Sequence, residues 1–259
     1  MRPNEVLKRT SAGDVEVIML GWLAGSSSNR HCRCWRVVAR RLAPRPASVS
    51  TLSLAPDVFN LTRPRADQIA AFLAGQRGRS FSYADVGATR GASPPPSYTI
   101  DHNQVRVGTS AETYARAVAA LQAWRMTSIG WSTVHPAAAP VAPGTTVAVV
   151  VRHYGFWSLN ACRIVYVLDE DEGGVRRFGF AYGTLPDHGA VGEERFTVEL
   201  RKADNSVWYD LYALSRPGHP LARFGYPLAR LLQRRFATAS KRAMVAAVAE
   251  QTISRPGAV

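Results

Sequence analysis

The residue types best suited to proton transfer are gathered between positions 182 and 194. The segment holds a tyrosine, a histidine and three acidic residues, which are Tyr182, Asp187, His188, Glu193 and Glu194. A histidine near carboxylates can act as a general acid or base at neutral pH. The pattern therefore indicates an enzyme, cyclase-like or hydrolase-like, that uses His188 with Glu194. It is also typical of an ordered loop whose histidine only makes hydrogen bonds, and both interpretations stay open.

Strand periodicity assigns Glu194 to the apolar side of its strand. In the alternating run Glu193–Arg201, Glu194 shares a face with apolar side chains, whereas Glu193 shares the other face with polar and charged ones. A buried carboxylate needs a partner, and we expect Arg163, which lies in the apolar run Ala161–Leu168, to supply it. The pair is expected either as a structural ion pair or as a group that orients a ligand. The residues expected to bind a ligand are Tyr98, Arg163, Tyr182, Glu194 and Arg216.

Motifs of several large enzyme classes are absent from the sequence. It contains no G-x-S-x-G, no P-loop, no G-x-G-x-x-G and no H-E-x-x-H. His31, Cys32 and Cys34 lack an evident fourth ligand, and Asp169–Glu172 has the composition of a solvated turn rather than a calcium loop. We therefore expect neither a cofactor nor a metal. Three cysteines do not make a disulfide framework, which favours the reducing cytoplasm.

Charge and composition divide the chain near residue 50. The net charge of +13 points to an anionic partner, and no apolar run is long enough to span a membrane. Residues 26–50 are rich in Arg, Ser and Pro, and we predict a disordered basic leader over residues 1–50, or a start-codon artefact with Met19 as an internal alternative. The apolar run Val17–Ala24 follows acidic residues, unlike a signal peptide. Residues 51–253 are predicted to form one domain, followed by a disordered tail at 254–259.

The periodicity of residues 51–253 predicts an α+β domain. A short helix is predicted near residues 63–75, a strand at Tyr98–Val107 and a second helix after a capping box at Thr109–Glu112. Short polar turns then separate five strands, which must be antiparallel because parallel crossovers need longer connections. These strands are Thr146–His153, Ala161–Leu168, Arg176–Tyr182, Glu193–Arg201 and Ser206–Leu214.

A long amphipathic helix is predicted to begin at Pro227 and to end the domain. Its expected apolar face consists of Phe224, Leu228, Leu232, Phe236, Ala239, Ala243 and Ala246. Its expected basic face consists of Arg223, Arg230, Arg234 and Lys241. A curved antiparallel sheet wrapped around this helix, the helix-grip fold, accounts for the order of the elements.

Several short segments resemble the domain-of-unknown-function 1990 family of bacteria and plants. They are Phe81–Tyr83, Val86–Gly91, Asp101–Asn103, Trp124–Met126, Pro143–Val147, Asn160–Tyr166, Phe178–Leu185, Gly192–Phe196 and Ser215–Pro217. The resemblance covers roughly residues 55–250 and implies a START-like helix-grip domain. The family brings no reaction and no catalytic residues, so the resemblance implies a fold rather than an activity.

Three functions are compatible with these patterns. The leading hypothesis is a cytoplasmic protein that holds a small apolar or amphipathic molecule in a cavity between sheet and helix. The second is the enzyme that uses His188 and Glu194 on the same scaffold. The third is a binder of nucleic acid or anionic membrane through the basic helix face. No aromatic residues alternate with these arginines along the helix, which argues against nucleic acid. Ligand identity, strand order and oligomeric state cannot be read from the sequence.

Overall fold

The chain divides into two compact units, Met1–Ser53 and Leu54–Val259. The computed structural model describes residues 58–91, 96–217 and 226–253, together with the backbone of three strands between residues 6 and 41. The predicted tail at 254–259 lies outside the described residues.

The first unit contains three antiparallel strands. They are β1 (Val6–Ser11), β2 (Val15–Gly21) and β3 (Trp35–Arg41), and each pairs with the next along the chain. The sequence had predicted a disordered leader here, without regular secondary structure. Strand-forming β-branched residues are present, and Ile18 is placed opposite Val38. That the second unit folds without residues 1–50 stays a prediction.

We expect a shortened chain that begins at Ser50 to melt at the same temperature as the full chain. Residues 1–50 have too little apolar surface to offset the conformational entropy that they would lose by packing on the unit Leu54–Val259. Thermal unfolding followed by circular dichroism measures this. A chain that begins at Leu61 is the control: it loses Phe59, which pairs with Ser158, and should melt at a lower temperature. If the Ser50 chain also melts several degrees lower, residues 1–50 stabilise the domain.

The second unit is built around one antiparallel sheet. Its strands are β4 (Phe59–Asn60), β5 (Thr99–Thr109), β6 (Ser132–His135), β7 (Thr146–Arg152), β8 (Trp157–Glu172), β9 (Val175–Thr184), β10 (Ala190–Arg201) and β11 (Ser206–Pro217). The spatial order is β5-β11-β10-β9-β8-β7-β6, and β4 pairs with the start of β8. The predicted meander of five strands is confirmed. The sequence missed β4 and β6, which are too short to show alternation.

Three helices accompany the sheet: α1 (Ala66–Gly75), α2 (Ala111–Gln122) and α3 (Tyr226–Ile253). The cap of α2 lies one residue later than predicted. The hydroxyl of Ser110, rather than that of Thr109, accepts a hydrogen bond from the backbone N–H of Thr113 at 3.3 Å. The curled sheet with its long C-terminal helix is the helix-grip fold, as predicted.

Aromatic side chains fill the space between the inner face of the sheet and the helices. Trp124, just after α2, is 1% exposed and lies edge-on to Phe180 of β9, with 4.9 Å between ring centroids. Its indole N–H donates to the carbonyl of Ala139 at 2.8 Å, so the one polar atom of this ring is satisfied. Phe180 in turn contacts Phe196 of β10. This core fixes the sheet against α2 and α3.

The buried face of α3 is rotated from the predicted one. Leu232 and Phe236 do face the sheet, but further along the buried residues are Ala237, Ser240, Met244, Ala247 and Val248. The predicted Ala239, Ala243 and Ala246 instead line a shallow groove on the other side of the helix. Arg223, Phe224 and the side chain of Leu228 lie outside the described residues. Because alanine fits either environment, an alanine-rich helix gives a weak signal of its buried face.

The predicted basic face of α3 is also partly wrong. The Arg230 guanidinium binds Asp101 on β5, and the Lys241 ammonium donates to the side-chain oxygen of Asn103 at 3.3 Å. Both cations therefore reach back to the sheet, whereas Arg234 is exposed. The Asp101–Asn103 segment attaches the edge strand to α3 through alternate residues, as strand geometry requires.

The outer face of the sheet is covered at one end by α1. Ile69 and Phe72 of this helix pack against Val150 of β7 and Leu159 of β8. Strands β7 and β8 are thus buried on both faces near this end.

Candidate ligand site

A cavity of about 380 Å³ lies between the inner face of the sheet and α3. Most of its wall is apolar, with Trp131, Val149, Phe156, Leu211, Leu232 and Phe236 among the lining residues. Polar groups are also present: Asp101, Asn160, Tyr182, His188, Glu194 and Gln233. An apolar cavity with a few polar groups is the usual form of a small-molecule site.

Glu194 lies on the cavity wall, and the prediction that it points to the apolar side is confirmed. The hydroxyl of Tyr182, its neighbour on β9, donates to Oε2 of Glu194 at 2.7 Å. Burial raises the pKa of the Glu194 carboxyl to about 7, opposed by the Tyr182 hydrogen bond and assisted by the negative charge of Asp101. The carboxyl is therefore close to half-protonated at neutral pH.

A second carboxylate of the wall, Asp101, is neutralised within the protein. The Arg230 guanidinium binds both of its oxygens, and the Nη2–Oδ1 distance is 2.6 Å. The same guanidinium donates to Gln233, whose amide donates to the Ser215 hydroxyl at 3.0 Å. This network links β5 and β11 to α3, and Asp101, Ser215 and Gln233 of the network line the cavity.

His188 lies on the loop between β9 and β10 and also lines the cavity. Its Nδ1 lies 2.9 Å from both the backbone nitrogen and the carbonyl oxygen of Ala190. Burial lowers the pKa of His188 to about 4, so the imidazole is neutral at physiological pH. The structure thus places His188 and Glu194 in one cavity. Asp187 does not join them, since its carboxylate accepts from Gln76 after α1 at 2.7 Å.

Arg163 lies on the opposite side of the sheet from Glu194, so the predicted pair is wrong. Its guanidinium donates to the carbonyls of Gln76 and Arg79 at 2.9 and 2.7 Å, and to the hydroxyl of Thr146. Cys162 and Ile164, on either side of it, belong to the inner core, so strand alternation turns Arg163 outward. Its function is to hold the end of α1 against the sheet.

Tyr98 and Arg216, two further predicted ligand contacts, contact each other away from the cavity lining. The Arg216 guanidinium lies over the Tyr98 ring, 5.3 Å from its centroid. The Tyr98 hydroxyl donates to Asp85 at 3.1 Å. Of the five predicted ligand contacts, the cavity contains Tyr182 and Glu194.

The sequence analysis did not predict a cluster of three polar residues at the start of β8. The amide of Asn160 donates to the Ser158 hydroxyl at 2.8 Å, and Nε2 of His153 lies 2.8 Å from the same hydroxyl. All three residues line the cavity. The predicted strand began at Ala161, four residues after the observed start at Trp157. With the correct start, alternation from Cys162 would have placed Ser158 and Asn160 on the inner face.

Glu193 points to the outer face, as predicted, yet it is only 3% exposed. The Phe81–Gly91 segment covers it with donors: the Tyr83 hydroxyl at 2.7 Å, the Gly87 N–H at 2.7 Å and the Thr89 N–H at 3.0 Å. The Thr89 hydroxyl donates to it as well. We call this cluster the outer clamp. Its role is structural, because its carboxylate lies away from the cavity.

A family model described as a domain of unknown function, DUF1990, matches residues 82–243. The chain belongs to the DUF1990 family. A UPF0548 protein of Deinococcus radiodurans is 38% identical over 200 residues, which cover 73% of this chain and 98% of the relative. A UPF0548 protein of Dictyostelium discoideum is 32% identical over 207 residues, which cover 74% of this chain and 96% of the relative. DUF1990 domains of this kind therefore also occur outside bacteria and plants.

Solved structures similar to this DUF1990 chain include norcoclaurine synthase of Thalictrum flavum, with a TM-score of 0.40 and 15% identity, covering 60% of this chain and 96% of the synthase. Human STARD10 is similar with a TM-score of 0.28 and 9% identity, covering 70% of this chain and 81% of that protein. No described helix of the DUF1990 chain combines the length and apolar composition needed to cross a bilayer.

Proposed function

We propose that this DUF1990 protein binds a small amphipathic molecule in the cavity between its sheet and α3. The observation that carries the proposal is an apolar cavity of about 380 Å³ with the carboxyl of Glu194 on its wall. The apolar wall suits the body of a ligand, and the few polar groups suit its head. The cytoplasm, predicted from the cysteine content, is the expected location.

The cavity is also positioned to admit a ligand. Phe59 is 59% exposed although it lines the cavity and lies edge-on to Phe156, with 5.8 Å between ring centroids. An exposed aromatic residue at the border of an apolar cavity marks an entrance. Entry past Phe59 and Phe156 would place the ligand head near Asn160, His188 or Glu194.

Filling the cavity should weaken ligand binding. Ala213 lies opposite Glu194 on β11 and lines the cavity, so Ala213→Phe would project a ring into it. The neutral fluorescent probe N-phenyl-1-naphthylamine should bind the native protein with an increase in emission. We expect the affinity of Ala213→Phe for this probe to fall at least about tenfold, or about 1.4 kcal/mol.

Ala115→Phe is the matched control, because it adds the same ring on the exposed side of α2. It should bind the probe as the native protein does, and both variants should keep a cooperative thermal transition. Equal binding by Ala213→Phe would place the probe elsewhere and refute the cavity as the site.

An enzyme that uses Glu194 and His188 is the second candidate function. The observation in its favour is that a carboxyl with a pKa of about 7 shares one cavity with a neutral imidazole. A group that is partly protonated at the working pH can serve as acid or base. A bound compound that is recovered chemically unchanged after prolonged incubation favours binding alone.

Binding to an anionic surface is the third candidate, and α3 has a feature that favours it. Arg235 lies 4.9 Å from the ring centroid of Trp131 and 5.4 Å from that of Tyr154. These aromatic residues come from other elements, so they are invisible in the helix sequence. Trp131 and Arg235 line the shallow groove of α3 together with Arg234 and Arg242. A steep loss of binding to nucleic acid or anionic vesicles with added salt would support this function.

A further inference from the structure

We infer that the cavity selects ligands whose head group is a protonated amine, and that the carboxylate of Glu194 binds this amine. The inference rests on the proposed function and assigns a chemical class to the ligand. It is carried by the distribution of charge around the cavity.

Acidic and basic side chains are unequally distributed over the cavity wall. Among the described residues that line it, none is a lysine or an arginine. Three are acidic: Asp101, Glu193 and Glu194. Asp101 is bound by the Arg230 guanidinium, and the carboxylate of Glu193 belongs to the outer clamp. Glu194 is left as the one carboxylate of the described wall that is neither paired with a cation nor enclosed by the donors of the outer clamp. A carboxylate or phosphate head group would therefore meet like charge without a counter-ion.

Glu194 has an oxygen available to a ligand. Oε2 accepts from Tyr182, whereas no donor within the described residues reaches Oε1. Oε1 is not fully enclosed by protein atoms, so the cavity gives access to it. An ionised carboxylate can accept several hydrogen bonds at once. A primary ammonium has three donors and can reach Oε1 while Tyr182 keeps Oε2.

The groups around Glu194 do not supply a positive charge. Burial raises the pKa of Tyr182 on β9, of Tyr209 on β11 and of the Cys162 thiol on β8, so all three are neutral. Asp101 on β5 adds negative charge, and Arg230 of α3 already binds Asp101. His188 is neutral at physiological pH because burial lowers its pKa to about 4. A ligand ammonium would offset the cost of burying the Glu194 charge, which the Tyr182 hydrogen bond reduces only in part.

The test compares head groups on one apolar chain by displacement of N-phenyl-1-naphthylamine at pH 8. Decylamine, decanol and decanoate share a tail and differ in charge, and an alkylamine is protonated at this pH because its pKa is near that of lysine. We expect decylamine to displace the probe at a concentration at least about tenfold lower than decanol, and decanoate to be weakest. The variant Glu194→Gln should bind decylamine and decanol equally well.

Two controls isolate the role of Glu194. Glu199→Gln removes a carboxylate of the outer face of β10 and should leave the preference for decylamine unchanged. Lowering the pH to 5.5 protonates Glu194 and should reduce the preference in the native protein, because its pKa is about 7. If decanol or decanoate displaces the probe as well as decylamine at pH 8, the inference is overturned while the proposed function stands. If neither the probe nor any of the three compounds binds to the folded protein, the proposed function fails and the inference fails with it.

Discussion

The variant Glu193→Ala should lose about 3–5 kcal/mol of unfolding free energy, the largest effect that we expect from one substitution in this protein. Glu193 is 3% exposed, and its carboxylate accepts from Tyr83, Gly87 and both donors of Thr89. Truncation leaves the Tyr83 hydroxyl and the N–H groups of Gly87 and Thr89 without an acceptor, whereas the Thr89 hydroxyl keeps the Tyr166 hydroxyl as a partner. Each buried unsatisfied donor costs about 1–3 kcal/mol, so the three together cost at least about 3 kcal/mol. Urea-induced unfolding followed by tryptophan fluorescence measures the loss.

Glu199→Ala is the matched control on the same strand and the same face. Its carboxylate binds Arg177 at 2.8 Å and Arg201 at 3.6 Å, and both arginines are about one-third exposed, at 34% and 37%. Water can replace these contacts, so we expect a cost of about 1 kcal/mol. Equal losses for the two variants would mean that the outer clamp contributes no more than a surface ion pair.

Glu194→Gln should stabilise the protein, and only at high pH. Burial raises the pKa of the native carboxyl to about 7 from an ordinary value of 4.5. One unit of pKa corresponds to about 1.4 kcal/mol, so ionising Glu194 in the native state costs about 3 kcal/mol at pH 8. Glutamine avoids that cost and can still accept from Tyr182. We expect the variant to gain about 3 kcal/mol at pH 8 and less than about 1 kcal/mol at pH 5.

The sign of this pH dependence follows from whether the folded or the unfolded state holds the Glu194 proton. Between pH 4.5 and pH 7 the unfolded chain releases the Glu194 proton while the folded protein keeps it. The folded state therefore loses stability as the pH rises through this window. His188 acts oppositely: burial lowers its pKa to about 4, so the unfolded chain takes up a proton first as the pH falls below 6.5.

Because the two groups oppose each other, the pH profile of the native protein alone does not separate them. Urea midpoints of Glu194→Gln and of the native protein must be compared at the same pH, once at pH 5 and once at pH 8. His188→Gln is the control, with its gain expected at pH 5 and not at pH 8. A gain of Glu194→Gln that is the same at both values would show that the carboxyl is not held protonated.

Much of the fold was predictable because the strands after residue 145 are separated by short polar turns. The orientation of Glu194 was also predictable, because β10 alternates between apolar and polar side chains beyond this residue. The partner of Glu194 was not predictable. Around Arg163 both faces of β8 are buried, the inner by the core and the outer by α1, so apolar residues on both sides hide which way the arginine points.

The burial of Glu193 shows another limit of sequence patterns. Its neighbours on the same face, Arg195 and Glu199, have the polarity of a solvated surface. The residues that bury it come from the Phe81–Gly91 segment, more than a hundred positions earlier, and supply hydrogen bonds rather than apolar surface. A polar strand face that is covered by donors has the same sequence pattern as one covered by water. The segment was noticed only through its family resemblance.

The separation of Glu193 and Glu194 onto opposite faces divides β10 between two kinds of evolutionary change. Gly183 on β9 leaves room for Tyr83, since a Cβ atom there would overlap the Tyr83 hydroxyl. A larger residue at Gly183 would therefore displace Tyr83, which donates to Glu193, whereas Glu194 and Ala213 face the cavity and take no part in these outward contacts. Related proteins can acquire new ligand preferences through the inward residues while the outward set keeps the scaffold intact. One strand, β10, therefore contributes Glu193 to the scaffold of the fold and Glu194 to the surface that contacts a ligand.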